Sequence, residues 1–201
     1  MTGFAPDLQT LRNAAHQREW NTLQDTLKRL LARLEPLVAL EVAAVRAHQH
    51  LARFEHYYPE AGWVRQLLLT VISYASAPDQ LPEHAVNQFP SPGCGNYVSA
   101  VFDLARVVQM GASPFERYSF ITNALANVTL AQLMDLYYSQ HMDEWQRLNE
   151  AADETNPETG LTVRQELYMK FWTDAAVAQQ DTRIWLDVVD AVEAKLNERL
   201  G

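Results

Sequence analysis

Histidine and glutamate recur at helical spacings in this sequence, and both side chains can bind a metal ion or exchange protons. Glu41, His48, Glu55 and His56 lie in one stretch whose apolar residues recur at helical steps. Residues seven apart rise about 10.5 Å along an α-helix, whereas zinc ligands lie about 2 Å from the ion. Ligands on one helix are normally three or four residues apart, and a Glu-x-x-His pair is missing here. We therefore expect no metal site.

Two further pairs, His16 with Glu19 and His141 with Glu144, do have a spacing of three residues. Both pairs straddle predicted turns between helices. A structural interpretation accounts for them: each glutamate stabilises the first turn of the helix that follows, and each histidine closes the helix that precedes. We prefer this interpretation to metal binding or catalysis.

The segment from Pro78 to Gly95 is the longest irregular stretch, and it contains His84, Cys94 and four prolines. Long irregular connections in compact domains often act as lids or binding loops. A cysteine and a histidine can form a nucleophilic pair, but the thiol needs a base or a positive field to ionise. The two glycines that flank Cys94 favour a simple turn, so a partner or ligand contact on this loop is the stronger hypothesis.

Charge and composition exclude several classes of function. The formal net charge of the 201 residues is −9 and the basic residues are scattered, so we expect no nucleic-acid partner. A lone cysteine is typical of a reducing compartment, and no export signal or bilayer-spanning stretch is found, which predicts a cytoplasmic protein without a membrane role. Phosphate-binding glycine loops, nucleophile elbows and paired Cys-x2-Cys motifs are missing, so no cofactor is expected.

Apolar residues recur at three- and four-residue steps along most of the chain, as in the stretches 20–34 and 185–196. Strict alternation of apolar and polar residues, which is typical of strands, is hard to find. The pattern predicts a single all-α domain over 1–201 with about ten helices in antiparallel hairpins. These hairpins form either a short α-α superhelical, repeat-like array or an irregular helical bundle.

Prolines, glycines and capping side chains divide this pattern into separate helices. Helices are predicted over about 6–18, 19–35, 36–58, 63–76, 96–110, 145–154, 162–179 and 181–200. Segment 114–140 is predicted to be two helices, because Ser113 and Thr129 each precede a Glu or Gln by three residues, the spacing of a capping box. Thr162 has the same spacing, and Asp181 is predicted to cap the last helix.

One internal match suggests a repeat. The pattern Leu-x2-Leu-x4-His-x2-Glu-Trp-x2-Leu occurs at 8–23 and again at 133–148, 125 residues later. Further large aromatics, Trp63, Phe102 and Trp185, fall near steps of about 42 residues. The Trp-x2-Leu pair is similar to the start of a helix in tetratricopeptide and HEAT-type repeats, with a period nearer the HEAT length. Gln24 replaces the small residue that the tetratricopeptide pattern has soon after its Trp.

Two hypotheses of function follow from these features. The leading one is a non-enzymatic helical scaffold that binds another protein, or itself, through a groove between hairpins or an apolar end face. The alternative is an enzyme or sensor with a small-molecule site between helices, under the 78–95 loop. Tyr57, Tyr58, His84 and Tyr97 would line that site, and Cys94 is a further contact candidate.

Overall fold

The computed structural model describes residues 3–74, 81–89, 91–109, 111–151, 153–167, 169–170 and 182–200. Eight α-helices and one 3-10 helix have both ends within these residues. The α-helices are α1 (Ala5–Gln17), α2 (Trp20–Leu31), α3 (Pro36–Tyr57), α4 (Gly62–Ile72), α5 (Cys94–Val108), α6 (Pro114–Gln140), α7 (Met142–Glu150) and α8 (Thr182–Leu200), and the 3-10 helix is Glu83–Gln88. The described part of the chain holds no strand, only one isolated bridge. The predicted all-α class is confirmed.

Two predicted capping boxes are present. The Ser113 hydroxyl accepts from the backbone N–H of Glu116, whose carboxylate accepts from the backbone N–H of Ser113. Thr162 and Gln165 exchange the equivalent pair of hydrogen bonds, at 2.9 and 3.2 Å. Each box satisfies two amides that the first turn of a helix leaves free. Most of the helix predicted after Thr162, and the predicted Asp181 cap, lie outside the described residues.

The prediction that segment 114–140 forms two helices is wrong. Helix α6 runs without a break over 27 residues. Thr129, the predicted second cap, donates its hydroxyl to the carbonyl of Leu125 one turn earlier, at 2.7 Å, as a helix-interior threonine does. The Gln132 side chain, the other half of the predicted box, accepts instead from Arg46 of α3 at 3.0 Å.

The ends of two shorter helices also differ from the prediction. Helix α7 begins at Met142, three residues before the predicted start, and carries Asp143 and Glu144 in its first turn, where acidic side chains favour a helix. Helix α4 ends at Ile72, four residues early. Tyr74 follows with a left-handed backbone (φ 54°), which stops the helix.

The repeat inferred from the sequence is not confirmed. Trp20 is the first residue of α2, whereas its counterpart Trp145 is the fourth residue of α7. The helices of the first copy separate at Arg18, but those of the second separate at His141, which corresponds to a position two residues earlier. Phe102, another aromatic of the series, lies in the middle of α5, whereas Trp20 begins α2.

Helices α5 and α6 form an antiparallel pair with the most extensive helix–helix contact among the described elements. Helix α3 packs across both of them. The Tyr97 hydroxyl of α5 donates to the carbonyl of Ala47 in α3 at 3.1 Å, and Arg53 of α3 pairs with Asp135 of α6 at 2.8 Å. Helix α4 packs on α3 and α5, and the buried apolar residues of all these helices form one continuous core.

Gly93, the residue before α5, explains how closely α5 and α6 approach. Its backbone is left-handed, with φ 73°. A Cβ at this position would stand 2.7 Å from the Cα of Ala131 in α6, and closer still to its carbonyl oxygen. Glycine is therefore required here both by conformation and by space.

Helices α1 and α8 pack side by side although they are far apart in sequence. The indole rings of Trp20 and Trp185 meet with their centroids 5.0 Å apart, at the end of the α1–α2 hairpin. Arg12 of α1 pairs with Asp190 at 2.7 Å and also with Glu193, both on α8. This contact joins the two ends of the described fold.

Candidate functional site

Two of the tyrosines singled out in the sequence meet in a packed aromatic cluster. Tyr97 is fully buried, and its ring centroid lies 5.1 Å from that of Phe54, which in turn lies 5.7 Å from that of Tyr58. Phe89 closes the cluster at 4.9 Å from Tyr58. The Tyr58 hydroxyl donates to the Ser91 hydroxyl at 2.8 Å and accepts from its backbone N–H at 2.9 Å. The cluster thus fixes the segment before α5 onto α3.

Tyr57 is adjacent in sequence but faces α6. Its hydroxyl donates to the Asp135 carboxylate at 2.9 Å and accepts from Arg53 at 3.0 Å. Partial burial, together with the negative charge of Asp135, raises the pKa of Tyr57 above its ordinary value. The phenol therefore stays protonated at neutral pH and serves as a hydrogen-bond donor in the α3–α6 contact.

Cys94 and His84 lie on different elements. Cys94 is the first residue of α5 and is buried, with 1% of its surface exposed. Burial, reinforced by the charge of Asp135, raises the pKa of the Cys94 thiol to about 12. A nucleophilic cysteine needs the opposite shift, so this thiol stays protonated at neutral pH. His84 lies in the 3-10 helix, and the ligand site predicted beneath this loop stays a prediction.

The pair His141 and Glu144 lies as the structural interpretation predicts, with His141 at the end of α6 and Glu144 in the first turn of α7. His141 follows the last residue of α6, its Nδ1 lies 2.9 Å from the carbonyl of Tyr137, and its ring stacks on the Tyr137 ring at 4.0 Å.

On α3, Glu41 pairs with Lys195 and Glu55 pairs with Arg65, so these two carboxylates serve different ion pairs. Within the described ranges, no three metal-ligating side chains converge.

A groove between α3 and α4, which sequence reasoning missed, exposes apolar side chains to solvent. It encloses about 490 Å³. The α3–α4 groove, as we call it, is lined by Leu40, Ala44, Val45 and His48 of α3, by Leu69, Val71 and Ile72 of α4, and by Glu41, Gln49 and Tyr74. Val45 is 55% exposed and Leu69 is 42% exposed, so apolar surface on both walls faces solvent.

A second groove lies on the other side of α3. The α3–α8 groove encloses about 440 Å³ and is lined by Glu41, Val42, Val45, Arg46 and Gln49 of α3 and by Ala191, Ala194, Lys195 and Glu198 of α8. The two grooves share Glu41, Val45 and Gln49, which follow one another at four-residue steps and form a ridge between them.

Glu41 lies on the ridge of α3 and is bonded both to α8 and to a residue just after α4. Its carboxylate accepts from Lys195 of α8 at 2.6 Å and from the Tyr74 hydroxyl at 3.0 Å. The Lys195 ammonium lowers the pKa of Glu41, so the carboxylate is ionised at neutral pH. Tyr74, which makes this contact just after the end of α4, has a left-handed backbone with φ 54°.

Arg46 is the other charged group of α3 in the second groove. Its Nη2 donates to Gln132 at 3.0 Å, and its Nε is buried without a hydrogen-bond acceptor among the described residues. Burial lowers the pKa of Arg46. The ordinary value for arginine is so high that the group is still charged at neutral pH.

One sequence signal could have revealed the α3–α4 groove. Helix α4, GWVRQLLLTVI, is apolar on more than one face, since Val64, Leu68 and Val71 fill the core while Leu69 and Ile72 remain exposed. A surface helix normally has one apolar stripe and a polar opposite face. Helix α4 therefore has more apolar residues than its buried face needs, as is typical of a helix with two apolar faces.

Fold and site together define an all-α protein with an open apolar groove between two core-anchored helices. No protein family, curated protein or solved structure matches this chain. None of the helices in the described part of the chain combines the length and the apolar character needed to cross a bilayer.

Proposed function

We propose that this chain is a non-enzymatic helical interaction module that binds a helix of a protein partner in the α3–α4 groove. The observation that carries the proposal is the exposed apolar surface on both walls of the groove, centred on Val45 and Leu69. Contiguous exposed apolar surface with a polar rim is typical of a protein-binding site.

The shape of the groove suits a helix. Two helices that lie side by side leave a channel between them, and an amphipathic helix can lay its apolar stripe into such a channel. Val45 and Ile72 offer apolar walls, while Glu41, His48 and Gln49 offer polar groups at the rim. The apolar centre supplies affinity and the rim groups select the orientation of the partner.

The walls are held in place before any partner arrives. Helix α3 is anchored by buried Ala43, Ala47 and Phe54, and α4 is anchored by buried Val64 and Leu68. A preformed groove avoids the entropy of ordering a flexible segment on binding. This rigidity favours a docking surface over a site that must assemble around its ligand.

A photo-crosslinking experiment tests the proposal. The full chain carries a benzophenone amino acid at Val45, or at Gln9 on the exposed side of α1 as a control, and is irradiated in cells that naturally produce the protein. We expect a covalent adduct with a polypeptide from position 45 but not from position 9. Equal labelling from both positions, or no adduct from position 45, refutes the docking function.

A companion substitution locates the contact. Leu69→Gln on the opposite wall removes apolar surface that a bound helix would cover. Leu69 is 42% exposed in the free chain, so covering that exposed part contributes about 0.6–1.3 kcal/mol, given about 1.5–3 kcal/mol for a fully buried leucine. We therefore expect the dissociation constant of the partner to rise about three- to tenfold, and the adduct yield from position 45 to fall. Leu69 is partly exposed in the free chain, so thermal unfolding of the variant should stay close to that of the parent.

A further inference from the structure

The exposed ridge of α3 has the shape of a helix that packs against another helix. Leu37, Glu41, Val45 and Gln49 lie at four-residue steps, and all four are partly or fully exposed. Side chains at such steps form the ridges that fit into the grooves of a neighbouring helix. This ridge borders a groove on either side, so the same face carries both a ridge and the groove that accepts one.

Charge distinguishes this face from the rest of the chain. Among the charged residues that line the two grooves, Glu41 and Glu198 balance Arg46 and Lys195. The whole chain carries a formal charge of −9, so the excess negative charge lies elsewhere. Two copies of an acidic protein repel each other except where their facing surfaces are neutral. This face meets that condition, and it offers no net charge to attract a basic or an acidic partner.

The size of the face is at the lower end of what a weak dimer requires, about 1,000 Å² in total from both partners. Helix α3 has 22 residues and is about 33 Å long at 1.5 Å per residue. Helix α4 has 11 residues and is about 16 Å long. With α4 packed about 10 Å to the side of α3, the pair presents a face of roughly 500 Å² before side-chain relief is included. A standard interface takes about 800 Å² from each partner.

From these three observations we infer that the occupant of the α3–α4 groove is a second copy of this chain. The inference rests on the proposed docking function and names its partner. A two-fold axis passes near Val45, at the middle of α3, and the α3 ridge of each copy enters the α3–α4 groove of the other. The two α3–α4 hairpins then complete a four-helix bundle, in which Leu69 and Ile72 of one copy cover Val45 of its partner.

Sedimentation velocity on the full chain tests the dimer. We expect a monomer–dimer equilibrium with a dissociation constant in roughly the micromolar range. Val45→Glu places two carboxylates beside the two-fold axis, and Val45→Lys places two ammonium groups there, so each variant alone should dimerise at least tenfold more weakly than the parent. A mixture of the two variants should recover dimers, because opposite charges then face each other. This recovery also shows that both variants are folded.

The control variant is Met142→Glu, which adds the same charge at a residue of similar exposure on α7, outside the grooves. It should dimerise as the parent does. A parent chain that is still monomeric at about 1 mM overturns the dimer. A parent dimer that Val45→Glu leaves intact, or a Glu–Lys mixture that does not associate, overturns this interface. If the chain is monomeric but position 45 still crosslinks to a different polypeptide, the dimer fails while the docking function stands.

Discussion

Gly93→Ala tests the close packing of α5 against α6, the helix pair on which α3 packs. Two effects act together, and both follow from the structure. An alanine would have to adopt the left-handed backbone of Gly93, at a cost of about 1–2 kcal/mol. Its Cβ would also stand 2.7 Å from the Cα of Ala131, where ordinary carbon contacts are about 3.5–4.0 Å. Helices α5 and α6 would have to separate by nearly an ångström, and overpacking of this kind costs about 1–3 kcal/mol.

The expected loss in the free energy of unfolding is therefore roughly 2–5 kcal/mol, a large part of the 5–15 kcal/mol typical of a domain. In a chain of this length, that loss lowers the melting temperature by roughly 5–20 °C. Urea unfolding followed by circular dichroism measures it, provided that the transition is two-state.

Gly95→Ala is the matched control, two residues further along. A Cβ at Gly95 would lie 3.6 Å from the Val86 side chain, which is ordinary contact. Alanine is also a better helix former than glycine, so this variant should be about 0.5–1 kcal/mol more stable than the parent. If Gly93→Ala loses less than about 1 kcal/mol, or if both variants lose the same amount, the close approach of α5 and α6 is incorrect.

Two further predictions concern titratable groups. Cys94 should not react with Ellman's reagent in native buffer near neutral pH, because its thiol is buried and protonated. In guanidinium, one thiol per chain should react. Rapid labelling of the native protein would contradict the burial of Cys94. Glu41→Gln should lower the free energy of unfolding by about 0.2–1 kcal/mol at neutral pH, as for other partly exposed ion pairs. Because the folded-state pKa of Glu41 lies below its ordinary value of 4.5, this difference should be fully present above pH 4.5 and vanish as the pH falls through the folded-state pKa. Urea unfolding of both proteins at a series of pH values from neutral into acid measures it. A difference that stays constant over the whole series would exclude the Lys195 ion pair as its cause.

Local sequence features predicted most of the helix starts. The box at Ser113 and the proline at the start of α3 act within one turn, so their effect can be inferred without knowledge of the fold. The break predicted at Thr129 failed because tertiary contacts decided the outcome. Gln132 was drawn away to Arg46 of α3, and the Thr129 hydroxyl found an acceptor inside α6.

The candidate site depended on information that periodicity does not contain. The sequence predicts Tyr58 and Tyr97 in the lining of a ligand site under the 78–95 loop, which stays a prediction, but it does not predict that both rings pack against Phe54. Leu69 lies outside the buried stripe of α4, which indicates a second apolar face, but the sequence does not mark Leu69 or Val45 as uncovered. Only the arrangement of α3, α4 and α8 shows that nothing in the described fold covers them.

The pairing of Trp20 with Trp185 has a consequence for the protein during its synthesis. The two rings are separated by 165 residues of sequence. A ribosome adds about 5–20 residues per second, so the first indole is complete roughly 10–30 s before its partner has been made. During this interval the α1–α2 hairpin displays an uncovered aromatic surface, and a nascent chain in that state is a natural client for a chaperone that holds exposed apolar segments.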